Sequence, residues 1–194
     1  MNICQGMIEG ARIFPQKCAI WFEGKEICYA ELESLSARAA KVLSEQGVER
    51  GDRVALILGN VPAFPVWYYG ILRLGAIAVS VNTRLTEEEA GFIVSDCEAK
   101  VVIRVGEDTA SDDAFPGCRV LNVAEDGASA DPSQERIGPC EFVEMEPEEP
   151  GIILYTSGTT GFPKGATLSH QNVRATVHAF NHLCGMDPDD RLLL

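Results

Sequence analysis

The stretch Tyr155-Thr156-Ser157-Gly158-Thr159-Thr160-Gly161-Phe162-Pro163-Lys164-Gly165 follows directly on the apolar run Ile152-Ile153-Leu154. Its eleven residues contain three glycines, four Ser/Thr hydroxyls and one lysine. Glycines let backbone N–H groups approach an anion closely, hydroxyls add donors and candidate magnesium ligands, and lysine adds a point positive charge. The stretch therefore predicts a loop that binds a polyphosphate.

The order of these residues differs from a Walker A loop, in which Gly-Lys-Ser/Thr follows a fixed gap. Here Pro163 precedes Lys164 and Gly165 follows it, so we expect the lysine to leave from a stiffened turn. An ordinary solvent loop is the alternative, because Gly/Ser/Thr stretches are common in such loops. That alternative does not explain a buried-type strand directly before the stretch and a helix soon after it.

Composition and charge argue against nucleic-acid binding. The chain is 46% hydrophobic with a formal charge of -13. Residues 105–150 hold 13 acidic and 2 basic side chains, a balance of -11, so most of the charge is concentrated there. Nucleic-acid binding needs a basic footprint and is excluded. The acidic stretch is interpreted as a solvated loop without chemistry.

The cysteines and the apolar windows bear on the compartment. Seven cysteines, at positions 4, 18, 28, 97, 118, 140 and 184, form no Cys-x-x-Cys pair. An odd, scattered set favours a reducing compartment over a disulfide frame or a zinc site. We expect no signal peptide, because the N-terminus has no basic region followed by an apolar core. We also expect no integral membrane segment, because the most apolar window, 61–81, is broken by Pro62, Pro65 and Arg73. These features predict a cytoplasmic protein.

Strand and helix signals alternate along the chain. Residues 1–50 predict a hairpin (19–22 with 26–29) and a helix that ends near Gly47. Residues 51–125 predict strands at 53–58, 77–81, 101–103 and, weakly, 118–123. Helices are predicted from Pro62 to about Leu74 and from a capping box at Thr86 to about Cys97. An acidic loop over 126–150 precedes the last part, 151–194, which contains the phosphate-loop strand and a helix over 171–184 capped near Ser169.

This alternation predicts an α/β fold with a mostly parallel, doubly wound sheet flanked by helices. In such sheets, ligands bind beyond the carboxyl ends of the strands, where residues 156–165 are expected to emerge. The last residues, 189–194, have the pattern of a strand that is cut off as it begins. We therefore expect residues 1–194 to be an incomplete N-terminal part of a larger domain.

The signature stretch, together with Leu168-Ser169-His170-Gln171-Asn172, resembles the AMP-binding signature of the adenylate-forming superfamily. That superfamily comprises acyl-CoA synthetases, peptide-synthetase adenylation domains and firefly-type luciferases. Three earlier blocks carry the resemblance further, namely Tyr29-Ala30-Glu31-Leu32, Val48-Glu49-Arg50-Gly51-Asp52-Arg53-Val54-Ala55 and Gly75-Ala76-Ile77-Ala78-Val79-Ser80-Val81-Asn82. It implies the N-terminal portion of the large domain of that fold, and the spacing of the blocks is most like an acyl-CoA synthetase.

The resemblance implies an ATP-dependent acid–thiol ligase that uses ATP, Mg²⁺ and coenzyme A and forms an acyl-adenylate and then a thioester. The family's later motifs, which hold adenine, ribose and the acyl chain, are not found in these 194 residues. We therefore expect this chain alone to be inactive. A non-catalytic phosphate-binding module stays open as an alternative, as does another adenylate-forming enzyme, either a peptide-synthetase adenylation domain or a luciferase-like oxygenase.

Roles are assigned to the signature residues with a structural alternative for each. Lys164 is the predicted catalytic residue, contacting the ATP phosphates and opposing charge build-up as pyrophosphate leaves. For each predicted hydroxyl donor to the phosphates, the structural alternative is a hydrogen bond to the loop's own backbone. By resemblance, Thr156 is also the magnesium ligand. The glycines are expected to provide close approach and permissive φ. The predicted phosphate-binding set is Thr156, Ser157, Gly158, Thr159, Thr160, Gly161, Lys164 and Gly165.

The histidines and large aromatic residues are predicted to be structural. His170 stands at a helix start after Ser169, so capping or packing is favoured over a role as a base. His178 and His182 are spaced to share a helix face, but no carboxylate or cysteine completes a metal site. The remaining aromatic residues of interest are expected in the core or on an interdomain face: Trp21, Trp67, Tyr68 and Tyr69.

Overall fold

Five helices and two sheets form the part of the chain that the structure describes. The structure is a computed structural model and describes residues 1–106, 114–127, 142–156 and 163–192. The helices are α1 (Gln5–Ile13), α2 (Tyr29–Glu45), α3 (Ala63–Arg73), α4 (Glu87–Asp96) and α5 (His170–Cys184). The strands are β1 (Cys18–Phe22), β2 (Lys25–Cys28), β3 (Arg53–Ile57), β4 (Ile77–Ser80), β5 (Ala99–Val105), β6 (Arg119–Val123), β7 (Pro150–Thr156) and β8 (Lys164–Ser169).

The main sheet has the order β6-β5-β3-β4-β7-β8 within the described residues, and β1 pairs with β2 in a separate hairpin. All neighbouring pairs of the main sheet are parallel except β7 and β8, which are antiparallel. This confirms the predicted α/β fold with a mostly parallel sheet flanked by helices. Because β3, β4 and β7 are parallel, their carboxyl ends lie at one edge of the sheet.

Each central strand buries both of its faces. Val54 and Leu56 pack in a cluster with α2 and α3 that contains Trp67. Ala55, between them, packs in a second cluster with Ile93 of α4. Successive side chains of a strand point to opposite faces, so a strand covered by helices on both sides is apolar at every position. Burial of each large aliphatic side chain stabilises the fold by roughly 1.5–3 kcal/mol.

Local signals set the helix ends where the sequence predicts them. The Thr86 hydroxyl accepts the Glu89 N–H at 3.2 Å, and the Glu89 carboxylate accepts the Thr86 N–H at 2.8 Å, which confirms the capping box of α4. Helix α2 ends two residues before Gly47, whose φ of +79° favours glycine.

Two elements differ from the sequence-based expectation. Helix α1 has no counterpart in the prediction, because it is only nine residues long and includes Gly6 and Gly10. A Cβ at Gly10 would lie 3.0 Å from Cε1 of Tyr29, so this glycine lets α1 approach α2 closely. Strand β8 is the second difference, since Lys164 opens a strand and does not leave from a turn. Pairing with β7 extends the backbone here, and the sequence around Lys164 carries no strand period that reveals it.

Candidate active site

The β7–β8 hairpin places both ends of the signature loop side by side. Thr156 is the last residue of β7, and Lys164, the first residue of β8, is its partner in the antiparallel register. Both side chains belong to exposed residues. Of the other predicted phosphate-binding residues, Ser157, Gly158, Thr159, Thr160 and Gly161 lie outside the described residues. The structure thus places Thr156 and Lys164 beside each other as the last paired residues of the hairpin.

A cavity of about 790 Å³ opens at the carboxyl edge of the parallel strands. Thr156 and Pro163 line one side of this cavity, and Asn60 and Asn82, which follow β3 and β4, line another. This is the edge where the doubly wound topology predicts ligand binding. Neither Asn60 nor Asn82 is among the residues predicted for the site. The signal for them was the position of each amide within three residues of the end of a predicted strand.

Acidic side chains also border this cavity, since Glu88 and Glu89 of α4 are among its lining residues. The carboxylate of Glu89 is engaged in the α4 cap, and the hydrogen bonds from Thr86 hold its pKa below the ordinary value. An anion in the cavity is therefore favoured near Thr156 and Pro163 rather than against the carboxylates of α4.

Tyr155 fixes the end of β7 to α4. Its hydroxyl donates to Oδ2 of Asp96 at 2.5 Å, and its ring packs with the cluster around Ile93 and Val102. Burial, together with this carboxylate, raises the pKa of the phenol above its ordinary value. The residue directly before Thr156 is therefore anchored at both its ring and its hydroxyl. Sequence reasoning cannot find this contact, because the two residues are 59 positions apart.

Gly165 packs closely against two side chains of β7. It lies within β8 opposite Tyr155, and its φ is outside the left-handed range, so the predicted permissive φ is wrong for this glycine. A Cβ at this position would lie 3.0 Å from Cζ of Tyr155 and 3.0 Å from Cγ2 of Ile153. The missing side chain makes room for the tyrosine ring that anchors β7.

His170 is fully buried at the first turn of α5, in accord with the predicted packing role. Its Nδ1 accepts the backbone N–H of Ile3 at 3.1 Å. Burial and the Met1 ammonium lower the pKa of the imidazole, while Glu149 acts in the opposite direction. The cap of α5 is Ser169, whose hydroxyl accepts the Asn172 N–H at 3.2 Å, as predicted.

The other two histidines and the two tryptophans are not among the described residues that line the cavity. His178 and His182 are exposed on α5, and the described residues contain no group of three or more His, Cys, Asp or Glu able to hold a metal ion. Trp67 is in the core, as predicted, with 1% exposure, whereas Trp21 is 66% exposed, so a core position is wrong for it. An interdomain face at Trp21 stays a prediction.

Two general features of the described residues bear on the class of protein. All six described cysteines are free thiols. Within the described ranges, no helix has both the length and the apolar character needed to cross a membrane.

Comparison with known proteins identifies similar sequences and structures. The family model described as "AMP-binding enzyme" matches residues 8–194. The long-chain-fatty-acid–CoA ligase FadD13 of Mycobacterium tuberculosis is 38% identical over 176 residues, covering 86% of this chain and 34% of that protein. The crotonobetaine/carnitine–CoA ligase of Citrobacter koseri is 28% identical, covering 97% of this chain and 40% of that protein.

A solved structure gives the same picture. The inhibitor-bound N-terminal domain of FACL13 from Mycobacterium tuberculosis superposes with a TM-score of 0.81 at 32% identity. The match covers 93% of this chain and 47% of that one. This chain therefore spans well under half the length of the curated relatives it matches.

Proposed function

This chain belongs to the AMP-binding enzyme family, and from that premise we propose that the full-length protein is an ATP-dependent acid–thiol ligase of the acyl-CoA synthetase type. The observation that carries the proposal is the β7–β8 hairpin, which pairs Thr156 with Lys164 at the mouth of the Gly/Ser/Thr loop. Two relatives named as CoA ligases of carboxylic acids support the same reaction class.

The side chains at the mouth of the hairpin fit a magnesium-bound triphosphate. A hydroxyl oxygen, as on Thr156, is a ligand type that Mg²⁺ accepts, and the ammonium of Lys164 pairs with phosphate oxygens. Both groups are exposed and so can reach a ligand without rearranging the core. When bound, Mg²⁺ neutralises phosphate charge and helps orient the triphosphate.

Two transfers make up the proposed reaction. A carboxylate oxygen attacks the α-phosphorus of ATP, a new P–O bond forms, and the bond to the bridging oxygen breaks so that pyrophosphate leaves. The ammonium of Lys164 opposes the charge that develops on this leaving group. In the second transfer, the thiol of coenzyme A loses its proton to solvent and its sulfur bonds to the acyl carbon. The acyl C–O bond breaks, and AMP leaves with the acid's former oxygen.

The anchored end of β7 contributes positioning. Tyr155 is held by Asp96 and by its contact across Gly165, so the residue directly before Thr156 is fixed by contacts on two sides. Reactions in which charge neutralisation and alignment provide most of the rate depend on such preorganisation.

Acid-dependent ATP–pyrophosphate exchange by the full-length protein tests the proposal. Short, medium, long and aromatic acids are offered, because the two relatives' names point to different acids. We expect exchange to require an acid and to fall about 100-fold in Lys164→Ala, the scale for losing one charge-stabilising donor. Lys41→Ala is the matched control, because Lys41 is an exposed lysine whose nearest carboxylate, Glu45, is 4.0 Å away.

A folded protein that binds ATP but exchanges with no acid would overturn the ligase and favour a non-catalytic phosphate-binding module. Exchange followed by aminoacyl transfer to a carrier, or by light emission with oxygen, would indicate the other adenylate-forming classes. Residues 1–194 alone are proposed to give no exchange. Contacts to the phosphates do not align a carboxylate with the α-phosphorus unless adenine, ribose and the acid are also held.

We also propose that the reaction takes place in the cytoplasm. The odd, scattered set of cysteines supports a reducing compartment. Fractionation of cells that express the full-length protein tests this, and recovery from an oxidising compartment would contradict it.

A further inference from the structure

The first residues of the chain are fixed to the end of α3. Asn2 is fully buried, and its amide donates to the carbonyls of Leu72 at 2.7 Å and Val143 at 2.9 Å. Its Oδ1 accepts the N–H of Cys4 at 3.1 Å, which closes a tight local turn. Residues 1–4 are called the N-terminal clip below. The N-terminal clip is therefore held by specific hydrogen bonds to the rest of the fold.

The clip also reaches the root of the β7–β8 hairpin. The Ile3 N–H donates to Nδ1 of His170, the first residue of α5 after β8. Both side chains lie against Gly151 of β7: a Cβ there would be 3.0 Å from Cδ1 of Ile3 and 3.2 Å from Cε1 of His170. The imidazole of His170 thus contacts both the clip and β7, the strand that ends at Thr156.

The hydrogen bond from Ile3 requires an Nδ1 of His170 that carries no proton. Because Nδ1 accepts a hydrogen bond, the neutral ring carries its proton on Nε2. Nε2 is buried and has no hydrogen-bond partner among the described residues. A second proton, on Nδ1, would make this nitrogen a donor that faces the N–H donor of Ile3. It would also place a positive charge in a buried site, and both effects cost free energy.

Two groups of opposite charge face the ring. The Met1 ammonium lies 3.2 Å from Oε2 of Glu144 and disfavours a charged imidazole. Glu149 favours one, but its carboxylate is already paired with Arg50 at 2.6 Å. Burial is the largest cause of the lowered pKa of His170, so the neutral ring is the form that the folded protein selects.

We propose that His170 is a positioning residue that closes the N-terminal clip on the phosphate-loop hairpin when neutral and releases the clip when protonated. A histidine whose folded pKa is lowered contributes stability above its unfolded value of about 6.5. That stability is lost as the pH falls through the lower folded value. The clip is therefore closed above about pH 6.5, and its closure weakens as the pH falls from there through the lowered pKa of His170.

Hydrogen exchange of the full-length protein, measured by mass spectrometry, tests the release without any assay of activity. The readout is the protection of a peptide covering residues 1–13 between pH 7.5 and 5, corrected for the intrinsic exchange rate at each pH. We expect protection of the clip amides to fall about fivefold on acidification, the factor for losing one hydrogen bond. Protection that is constant after correction would overturn the proposal.

Two variants assign the effect to His170. His170→Gln keeps an acceptor for Ile3 but cannot take up a proton, so its protection is expected not to change with pH. His178→Gln with His182→Gln removes the other two histidines, both exposed, and should respond as the wild type does. Loss of the response in this double variant would overturn the proposal even if His170→Gln fails to fold.

A consequence for ATP rests on the proposed function. Release of the clip should loosen Gly151 and raise the KM for ATP in pyrophosphate exchange about fivefold between pH 7.5 and 5.5, with a smaller change in His170→Gln. An equal rise in both proteins would contradict the coupling to the hairpin. Absence of ATP–pyrophosphate exchange at every pH would instead contradict the proposed function. The hydrogen-exchange measurement would then still test whether protonation of His170 releases the clip.

Discussion

Helices α3 and α5 carry apolar residues at helical spacing, yet the described fold covers only one of them. Seven of the eleven residues of α3 are buried, including Trp67 and Ile71. In the fifteen residues of α5 only His170 is buried. Val177, Phe180 and Leu183 of α5 are exposed by 53%, 50% and 83%. An apolar stripe therefore shows that a helix can be buried on one face, but whether that face is buried depends on the elements that pack against it.

The contacts of α3 explain its burial. A Cβ at Gly70 would lie 2.7 Å from Cβ of Ala39, so the two helices approach at a small residue on each side. Arg73 donates to Oε1 of Glu33 at 2.6 Å and to Oγ of Ser36 at 3.2 Å, which fixes the pair further. Helix α5, by contrast, is joined to the rest of the described residues mainly through its first turn.

Removing a large side chain from each helix is the strongest test of this contrast. Trp67→Ala should lower the free energy of unfolding by roughly 3–5 kcal/mol, because the buried indole leaves a cavity. Phe180→Ala should change it by less than about 0.5 kcal/mol, since the ring is largely exposed. Urea unfolding of residues 1–194 provides both values. Equal losses would mean that α5 packs as tightly as α3.

The second test concerns the close contact between Gly165 and Tyr155 across the β7–β8 hairpin. Gly165→Ala should destabilise the protein by about 1–3 kcal/mol, because the new methyl group would overlap the ring of Tyr155. Gly6→Ala is the matched control: no atom lies within 4 Å of its added Cβ, and alanine favours the helix, so stability should rise slightly. Thermal unfolding compares the two, and a neutral Gly165→Ala would contradict the close approach.

The helix caps give the smallest expected effect and extend the comparison to α4. Thr86→Ala and Ser169→Ala each remove one capping box, worth about 1 kcal/mol of helix stability. Because α4 is packed in the core, Thr86→Ala should lower global stability by that amount. Ser169→Ala should instead increase hydrogen exchange within α5 and leave global unfolding nearly unchanged. Equal global losses would indicate that α5 unfolds together with the core.

Much of the fold and part of the site are predictable from short stretches of sequence. The strand at 53–58 is recognisable because every residue after Arg53 is apolar, as a strand with two covered faces requires. The cap at Thr86 needs only residues 86–89. Helix α1 was missed because two glycines weaken its local signal. Strand β8 was missed because its extended backbone is imposed by pairing with β7.

The sequence by itself predicted a polyphosphate-binding composition for residues 155–165, and it determined most of the alternation of strands and helices and the caps of α4 and α5. Each of these depends on residue types or hydrogen bonds within a few positions. Only the tertiary structure decided that Gly165 faces Tyr155, that Tyr155 meets Asp96, and that His170 holds Ile3 across 167 positions. Such contacts depend on where distant segments arrive in space, and that is fixed by the packing of the whole sheet and its helices.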